Sequence, residues 1–218
     1  MQNQSLAAPA VRTRNTLMNH PVRIEPLEPQ HAPAVAKIHS VSQSGTFLTS
    51  LGEEFLTLLY RRISRSACGN SYVALSGEDV VGFIVGALST KQLFKDVALK
   101  APLHFGWLVF KRGLSRPTLL AQAFKTLAYP SQGDENLPDA ELLALAVDTP
   151  WRNQKIGAQL VTQLRQSMHT AGIGAMVVTV DGDNAGALRF YQRHGFKPAA
   201  VSHMYGRPMQ HLVLTFQE

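Results

Sequence analysis

Cysteine is nearly absent. Cys68, in the loop-like stretch SACGN, is the single thiol of the 218 residues. The chain therefore makes no internal disulfide, and a reducing cytoplasm is the expected setting. With no activating partner nearby in sequence, Cys68 is not read as a nucleophile. Long apolar runs are absent too: no stretch reaches the ~20 residues of a membrane span. The N-terminal MQNQSLAAPAVRTRNTLMNH lacks the apolar core of a secretory signal. It is polar, carries Arg12 and Arg14, and reads as a disordered tail over residues 1–20. Met18 stands just before the patterned chain and is a second candidate start. Two phosphate-binding signatures are missing, GxxxxGK[ST] and GxGxxG, which argues against a P-loop or a Rossmann dinucleotide site. The eight histidines show no ligand spacing, so no metal is expected.

Acidic residues are scarce in one region. The chain carries 21 Lys and Arg against 15 Asp and Glu, a formal charge of +6 with a pI near 9.7. Residues 89–130 hold Lys91, Lys95, Lys100, Lys111, Arg112, Arg116 and Lys125 against Asp96 alone, so this segment accounts for 7 − 1 = +6. A local excess says more about a partner than a global one. No nucleic-acid partner is expected.

What remains is a patterned globular chain, 45% hydrophobic and 17% charged, without internal repeats. VRIEPL (22–27) alternates as a strand, and PQHAPAVAKIHS (29–40) reads as a helix with Pro33 in its first turn. Leu48, Leu51, Phe55, Leu58, Leu59 and Ile63 recur at helical spacing, predicting one helix from Phe47 to about Ser64. Residues 71–88 form two β-rich runs around Gly77-Glu78-Asp79, a hairpin signal. Residues 89–137 break this rhythm as two or three short basic, amphipathic helices. Their apolar residues Leu93, Phe94, Val97, Leu103, Phe105, Trp107, Leu108, Phe110, Leu119, Leu120, Phe124 and Leu127 must be buried on something. Three readings are open: a lid over an acceptor pocket, a surface for an anionic membrane or acidic partner, or ordinary helices with solvated lysines.

ELLALAVD (141–148) and GAMVVTV (174–180) read as buried strands. Between them lies a helix over 154–171 with Ile156, Leu160, Val161, Leu164 and Met168 on one face. Asn184–His194 is a short helix stopped by Gly195, and 199–205 and 210–216 close as two strands. The order predicts an α/β (α+β) fold, a mixed sheet with helices on both faces and a helical insert between the third and fourth strands. It is read as one domain over 21–218.

A strand, then WRNQKIGAQL opening a helix, is a general anion device: first-turn N–H groups are unpaired and the dipole is positive there. The run AVDTPWRNQKIGAQLVTQL, with NAGALRFYQRHGFKP after it, resembles the GCN5-related N-acetyltransferase (GNAT) superfamily. Arg152-Asn153-Gln154-Lys155-Ile156-Gly157 stands for its Q/R-x-x-G-x-G/A motif. Asn184, Ala187, Phe190, Tyr191, Gly195 and Phe196 stand for its second mark. The specific resemblance covers 141–197, and the element order extends it over roughly 22–216.

The resemblance implies direct acetyl transfer from acetyl-CoA, as co-substrate, to an amine. It implies a pyrophosphate grip by Arg152, Asn153, Gln154, Lys155, Ile156, Gly157 and Ala158, with Asn184, Ala187 and Tyr191 also beside the cofactor. Lys155 replaces the motif's first glycine; with a negative φ it would keep its N–H and add a cation. The fourth strand would expose Ala146 and Val147 to pantetheine, the Val147 N–H polarising the thioester carbonyl. Tyr191 matches the tyrosine that protonates the leaving thiolate, or else packs as an aromatic.

Glu141 matches the catalytic glutamate of the histone-acetyltransferase branch. Alternation would put it on the face of Leu143, Leu145 and Val147, or else leave it at a strand edge in solvent. The branch acetylating ribosomal N-termini has a glutamate where this chain has Thr179. Asp181 and Asp183 read as turn formers, and His194 as a neutraliser of the helix C-terminus. The implied acceptor is a primary amine of a small molecule. A protein or peptide amine, and a non-catalytic acyl-CoA-binding or membrane-associated module, are the alternatives. A monomer or homodimer is expected.

Overall fold

The computed structural model describes residues 20–113, 137–204 and 206–216. The tail over 1–19 and the later part of the basic stretch, with Arg116, Leu119, Leu120, Phe124, Lys125 and Leu127, lie outside these residues.

Seven strands form one sheet in the order β1-β2-β3-β4-β5-β7-β6. They are β1 (Val22–Pro26), β2 (Gly69–Ser76), β3 (Asp79–Ala87), β4 (Glu141–Val147), β5 (Ala175–Asp181), β6 (Lys197–Met204) and β7 (Arg207–Thr215). Every pairing is antiparallel except β4 with β5. The helices are α1 (Ala32–Ser42), α2 (Phe47–Ser50), α3 (Glu53–Ile63), α4 (Thr90–Lys100), α5 (Pro102–Gly113), α6 (Ile156–Thr170) and α7 (Ala185–Arg193). Short 3-10 turns precede α1 at Pro29–His31 and follow β4 at Thr149–Trp151.

Period-two alternation gives the sheet two apolar faces, and each takes a helix layer. On one, Leu160, Val161, Leu164 and Met168 of α6 and Tyr191 of α7 pack on Ala74, Val81, Ile84, Leu142, Val178 and Leu212. On the other, Val35 and Ile38 of α1, Leu56 and Tyr60 of α3 and Leu93 of α4 pack on Val73, Phe83, Val85 and Ala146. Each such aliphatic contributes about 1.5–3 kcal/mol of burial. Gly86 permits the first layer: a Cβ there would lie 2.6 Å from Leu164 Cδ1 and 2.8 Å from the Asn70 carbonyl.

The predicted helix over 47–64 is two helices. Gly52, at φ 91°, breaks the chain between α2 and α3; the apolar spacing persists across the break because both pieces cover the same layer. The hairpin at Gly77-Glu78 forms as expected, joining β2 to β3. The last two strands begin earlier than predicted, at Lys197 and Arg207, because exposed edge residues there pair without an apolar pattern.

α4 and α5 are the described part of the basic insert. Leu93 and Val97 enter the core, Leu108 joins Leu51 and Phe55, and Leu99, Leu103, Trp107 and Phe110 are exposed. No helix among the described residues is long and apolar enough to cross a membrane.

Candidate active site

β4 and β5 run parallel but pair only at Glu141↔Val177 and Leu142↔Val178. Beyond Leu142 they part, and a gap opens between the C-terminal half of β4 and its neighbour. β4 stays paired to β3 as far as Gly82↔Val147, so the strand is held while one edge is free. The Asp148 N–H reaches the Val81 carbonyl at 2.9 Å. One residue earlier, both backbone groups of Val147 therefore point away from β3 and into the gap. The Val147 carbonyl accepts from Arg152 Nε at 3.1 Å, which leaves its N–H as a donor facing the gap. Ala146 is the alternate residue: it pairs with Phe83 and its side chain joins the core.

After β4, Asp148 accepts from the Thr149 N–H at 2.8 Å and caps the 3-10 turn, burying Trp151. The chain then takes two left-handed residues, Asn153 at φ 64° and Lys155 at φ 61°. The expectation of a negative φ at Lys155 is overturned: the motif's glycine position is a true left-handed site, and lysine occupies it with strain. α6 opens at Ile156, two residues later than expected, with Lys155 as N-cap and no side-chain cap. Its first helical bond runs from Gln159 N–H to the Lys155 carbonyl at 3.1 Å. The N–H groups of Ile156, Gly157 and Ala158 are thus first-turn donors with no intrahelical partner, and no acidic side chain stands in that turn.

Arg152 does not extend toward that turn. Besides the Val147 carbonyl it donates from Nη2 to Ser42 Oγ of α1 at 3.4 Å, so it ties α1, the loop and the end of β4 together. Gln154 Nε2 donates to the Pro150 carbonyl at 3.3 Å. Gly157 faces the Phe190 ring of α7, where a Cβ would make an ordinary contact at 3.5 Å. Asn184 caps α7 by accepting from the Ala187 N–H at 3.0 Å, and Ala187 packs on the core. The helix ends as expected: Gly195 sits at φ 89°, and the Phe196 N–H returns to the Tyr191 carbonyl at 3.1 Å. His194 Nδ1 bonds the Phe190 carbonyl at 2.7 Å. Asp181 ends β5, accepting from the Asp183 N–H at 3.0 Å and pairing with Arg207 at 2.8 Å.

Tyr191 is buried against Phe190 and Phe196, each ring centroid 5.3 Å away. Burial raises its phenol well above the ordinary tyrosine value and keeps its proton in place at working pH.

Glu141 is neither on the face of Leu145 and Val147 nor at a solvated edge. Gly86 pairs with Leu142 and Val85 with Ala144, so Leu143 is an extra residue, a β-bulge that reverses the alternation. Leu142, Leu145 and Val147 face α6, while Leu143, Ala144 and Ala146 face α1 and α3. Glu141 is 7% exposed. Its Oε1 accepts from Thr179 Oγ1 at 3.1 Å and its Oε2 from Thr90 Oγ1 of α4 at 3.3 Å. Burial pushes its carboxyl up to about 7, against the pull of the two hydroxyls, with Asp139 adding to the rise. A carboxyl poised there can serve as a general base.

Three participants carry no motif. Thr90 and Thr179 reach Glu141, and His211 reaches Thr179, only through strand register and the start of the insert; the one sequence signal was Thr179's position where a related branch carries glutamate. Among the described residues no group of three or more His, Cys, Asp or Glu is placed to hold a metal.

The acetyltransferase (GNAT) family model matches residues 33–196; the chain belongs to this family. Over 75 residues it is 32% identical to a mycothiol acetyltransferase of Beutenbergia cavernae, covering 33% of this chain and 25% of that protein. The chain thus spans about a quarter of the length of that curated relative. The fold is similar to that of Ard1 from Thermoplasma volcanium, at TM-score 0.57 and 17% identity over 90% of this chain and 99% of that one. It is equally similar to PaiA N-acetyltransferase from Thermoplasma acidophilum, solved with coenzyme A, at TM-score 0.57 and 15% identity over 90% and 99%.

Proposed function

We propose that the protein moves an acetyl group from acetyl-CoA directly to a primary amine, of a small molecule by preference. The observation that carries this reading is the parting of β4 from β5 beyond Leu142, with the Val147 N–H facing the gap and the uncapped first turn of α6 at its end. The residues fit the co-substrate: the N–H groups of Ile156, Gly157 and Ala158 take the pyrophosphate, and the gap takes the extended pantetheine as a strand would be taken. The bound thioester supplies an activated acetyl carbon. Lys155, Asn153 and Gln154 frame the loop, Arg152 fixes the carbonyl of Val147, and the Val147 N–H donates to the developing oxyanion. Glu141 lies at the other end of β4 from Val147, so it takes up the proton of the attacking amine through intervening water, and Tyr191 returns one to the departing sulfur. The family match favours an enzyme over a binding module, and burial that pushes the Glu141 carboxyl up to about 7 suits it to the role of base.

The relatives, named for acetyl transfer, support the reaction class. The small-molecule preference rests on α4, whose Thr90 abuts Glu141 and supports the lid reading of the insert. The test is a melt with acetyl-CoA, ATP and NAD, followed by a panel of amino sugars, polyamines, amino acids and peptides read by release of CoA thiol. Acetyl-CoA alone should raise Tm; at ~100 times Kd the stabilisation is roughly 2.7 kcal/mol. A shift with ATP or NAD and none with acetyl-CoA overturns the reading. Turnover of peptides alone replaces the small-molecule acceptor with a protein one.

A further inference from the structure

Glu141 does not end the polar chain it belongs to. Thr179 lies directly opposite His211 in the β5–β7 register, and Thr179 Oγ1 stands 3.2 Å from His211 Nδ1. His211 Nε2 in turn stands 2.8 Å from Ser202 Oγ of β6. The four residues sit on β4, β5, β7 and β6, which are successive strands of the sheet. They share the face opposite α6, because their neighbours Leu142, Val178 and Leu212 fill the α6 side. Glu141 and His211 are each 7% exposed, whereas Ser202 lies half-buried on the edge strand. A line of hydrogen bonds therefore runs from a buried carboxyl to the rim of the sheet.

We propose that Thr179, His211 and Ser202 are the exit for the proton that Glu141 takes from the acceptor amine. This inference rests on the acetyl-transfer reading. A buried base must lose its proton before the next cycle, and here every hop has a hydrogen-bond partner. The donor inventory orients the line. A threonine hydroxyl has one hydrogen; while Thr179 donates it to the Glu141 carboxylate, a neutral His211 donates from Nδ1 to Thr179 and accepts at Nε2 from Ser202. With Glu141 protonated the line reverses: the carboxyl donates to Thr179, Thr179 to Nδ1, Nε2–H to Ser202 and Ser202 outward.

Release follows from the reversed state in one sweep. The O–H bond of Glu141 breaks as one forms on Thr179 Oγ1. The Thr179 proton passes to Nδ1, the Nε2 proton to Ser202 Oγ, and the Ser202 proton to water. Glu141 is left as carboxylate, His211 neutral with its proton on Nδ1, and one proton is delivered to solvent. No oxidant or co-reactant enters. Thr90, on α4, holds the other carboxyl oxygen at 3.3 Å and, with Asp139, is the group facing Glu141 from outside the line. Thr179, His211 and Ser202 are positioning and relay residues, since none is placed against the reacting atoms.

The test does not depend on knowing the acceptor. In the full chain labelled with 15N-histidine, the ring nitrogens of His211, assigned through His211→Gln, should report the Nδ1–H tautomer at pH 9. Over the pH range in which the ring is neutral, they should shift toward Nε2–H as Glu141 takes up its proton. Thr179→Val, which keeps the β-branched shape, and Glu141→Gln should each abolish that step. An Nε2–H tautomer at pH 9, or the same titration in wild type and both variants, overturns the proposal. For the panel amine with the highest turnover, His211→Gln should lower kcat at least tenfold, leave the KM for acetyl-CoA unchanged and regain rate as imidazole buffer is raised. Full kcat in His211→Gln and Thr179→Val, without buffer dependence, sinks the relay and leaves acetyl transfer standing. Absence of any acetyl-CoA effect on the wild-type melt sinks acetyl transfer itself.

Discussion

Thr179 Oγ1 donates to Glu141 Oε1 across the parallel pair at 3.1 Å. The position where one branch of the superfamily is expected to carry its base thus holds a hydroxyl that serves the carboxylate at the other branch's position. One carboxyl occupies the junction of β4 and β5, and a second there would be a like charge in a desolvated spot. Threonine instead gives Glu141 a donor, which lowers the cost of its burial.

The raised carboxyl of Glu141 has a stability consequence. Burial moves it from 4.5 to about 7, so between these values the native state holds a proton that the unfolded chain has released. Stability should fall as pH rises from about 4.5 to 7 and then level, by at most ~3 kcal/mol from this group. Glu141→Gln, neutral throughout, should remove that slope and melt higher than wild type at pH 8. Melting curves at pH 5, 6, 7 and 8 check this; equal slopes in both proteins would mean Glu141 is ionised at little cost.

Lys155 is held at φ 61°, where a side chain costs roughly 1–2 kcal/mol. Lys155→Gly relieves the strain but adds backbone freedom to the unfolded chain, so stability should hold or rise by about 1 kcal/mol. Acetyl-CoA affinity should change less than tenfold, because the backbone donors of the α6 first turn remain. Lys155→Val should destabilise by more than 1 kcal/mol. Urea titration measures both. A tenfold loss of affinity in Lys155→Gly would make the lysine side chain a phosphate ligand.

Tyr191→Phe keeps the ring between Phe190 and Phe196 and removes one O–H. Folding and the acetyl-CoA melting shift should survive, while turnover should fall by roughly 10²–10⁴. The wild-type rate should climb through pH 7 as Glu141 and the amine lose protons. Because burial raises the phenol, the fall otherwise expected near the ordinary tyrosine value of ~10 should be missing from the working range. Retention of more than about a third of turnover, with chemistry rate-limiting, would make Tyr191 a packing residue.

Gly86→Ala places a Cβ within 2.8 Å of Leu164, Met168 and the Asn70 carbonyl. The Leu164 and Met168 atoms are side-chain ends that can swing aside, but the carbonyl belongs to paired β2, so β3 must shift at Gly86 and disturb the seat of α6. Destabilisation of about 1–3 kcal/mol or more is expected, with acetyl-CoA affinity falling as the α6 N-terminus shifts. Denaturant unfolding and the ligand-induced melting shift together decide; a change under 0.5 kcal/mol would show a looser α6 seat.

The sequence by itself determined the element order, the two-faced sheet and the motif from Arg152 to Ala158. These follow from apolar period and local turn chemistry, which are properties of neighbouring residues. The Gly77 hairpin and the Gly195 stop were legible for the same reason. Tertiary structure alone decided the left-handed Lys155 and the commitment of Arg152 to Val147. It also decided the setting of Glu141. Strict alternation put that carboxylate beside Leu145 and Val147, but the extra Leu143 turned it to the other face. A bulge is a mismatch between two strands distant in sequence, and neither strand's own pattern encodes it. Nor does any local pattern bring Thr90, Thr179, His211 and Ser202 into line, because register across four strands is fixed only when the whole sheet packs.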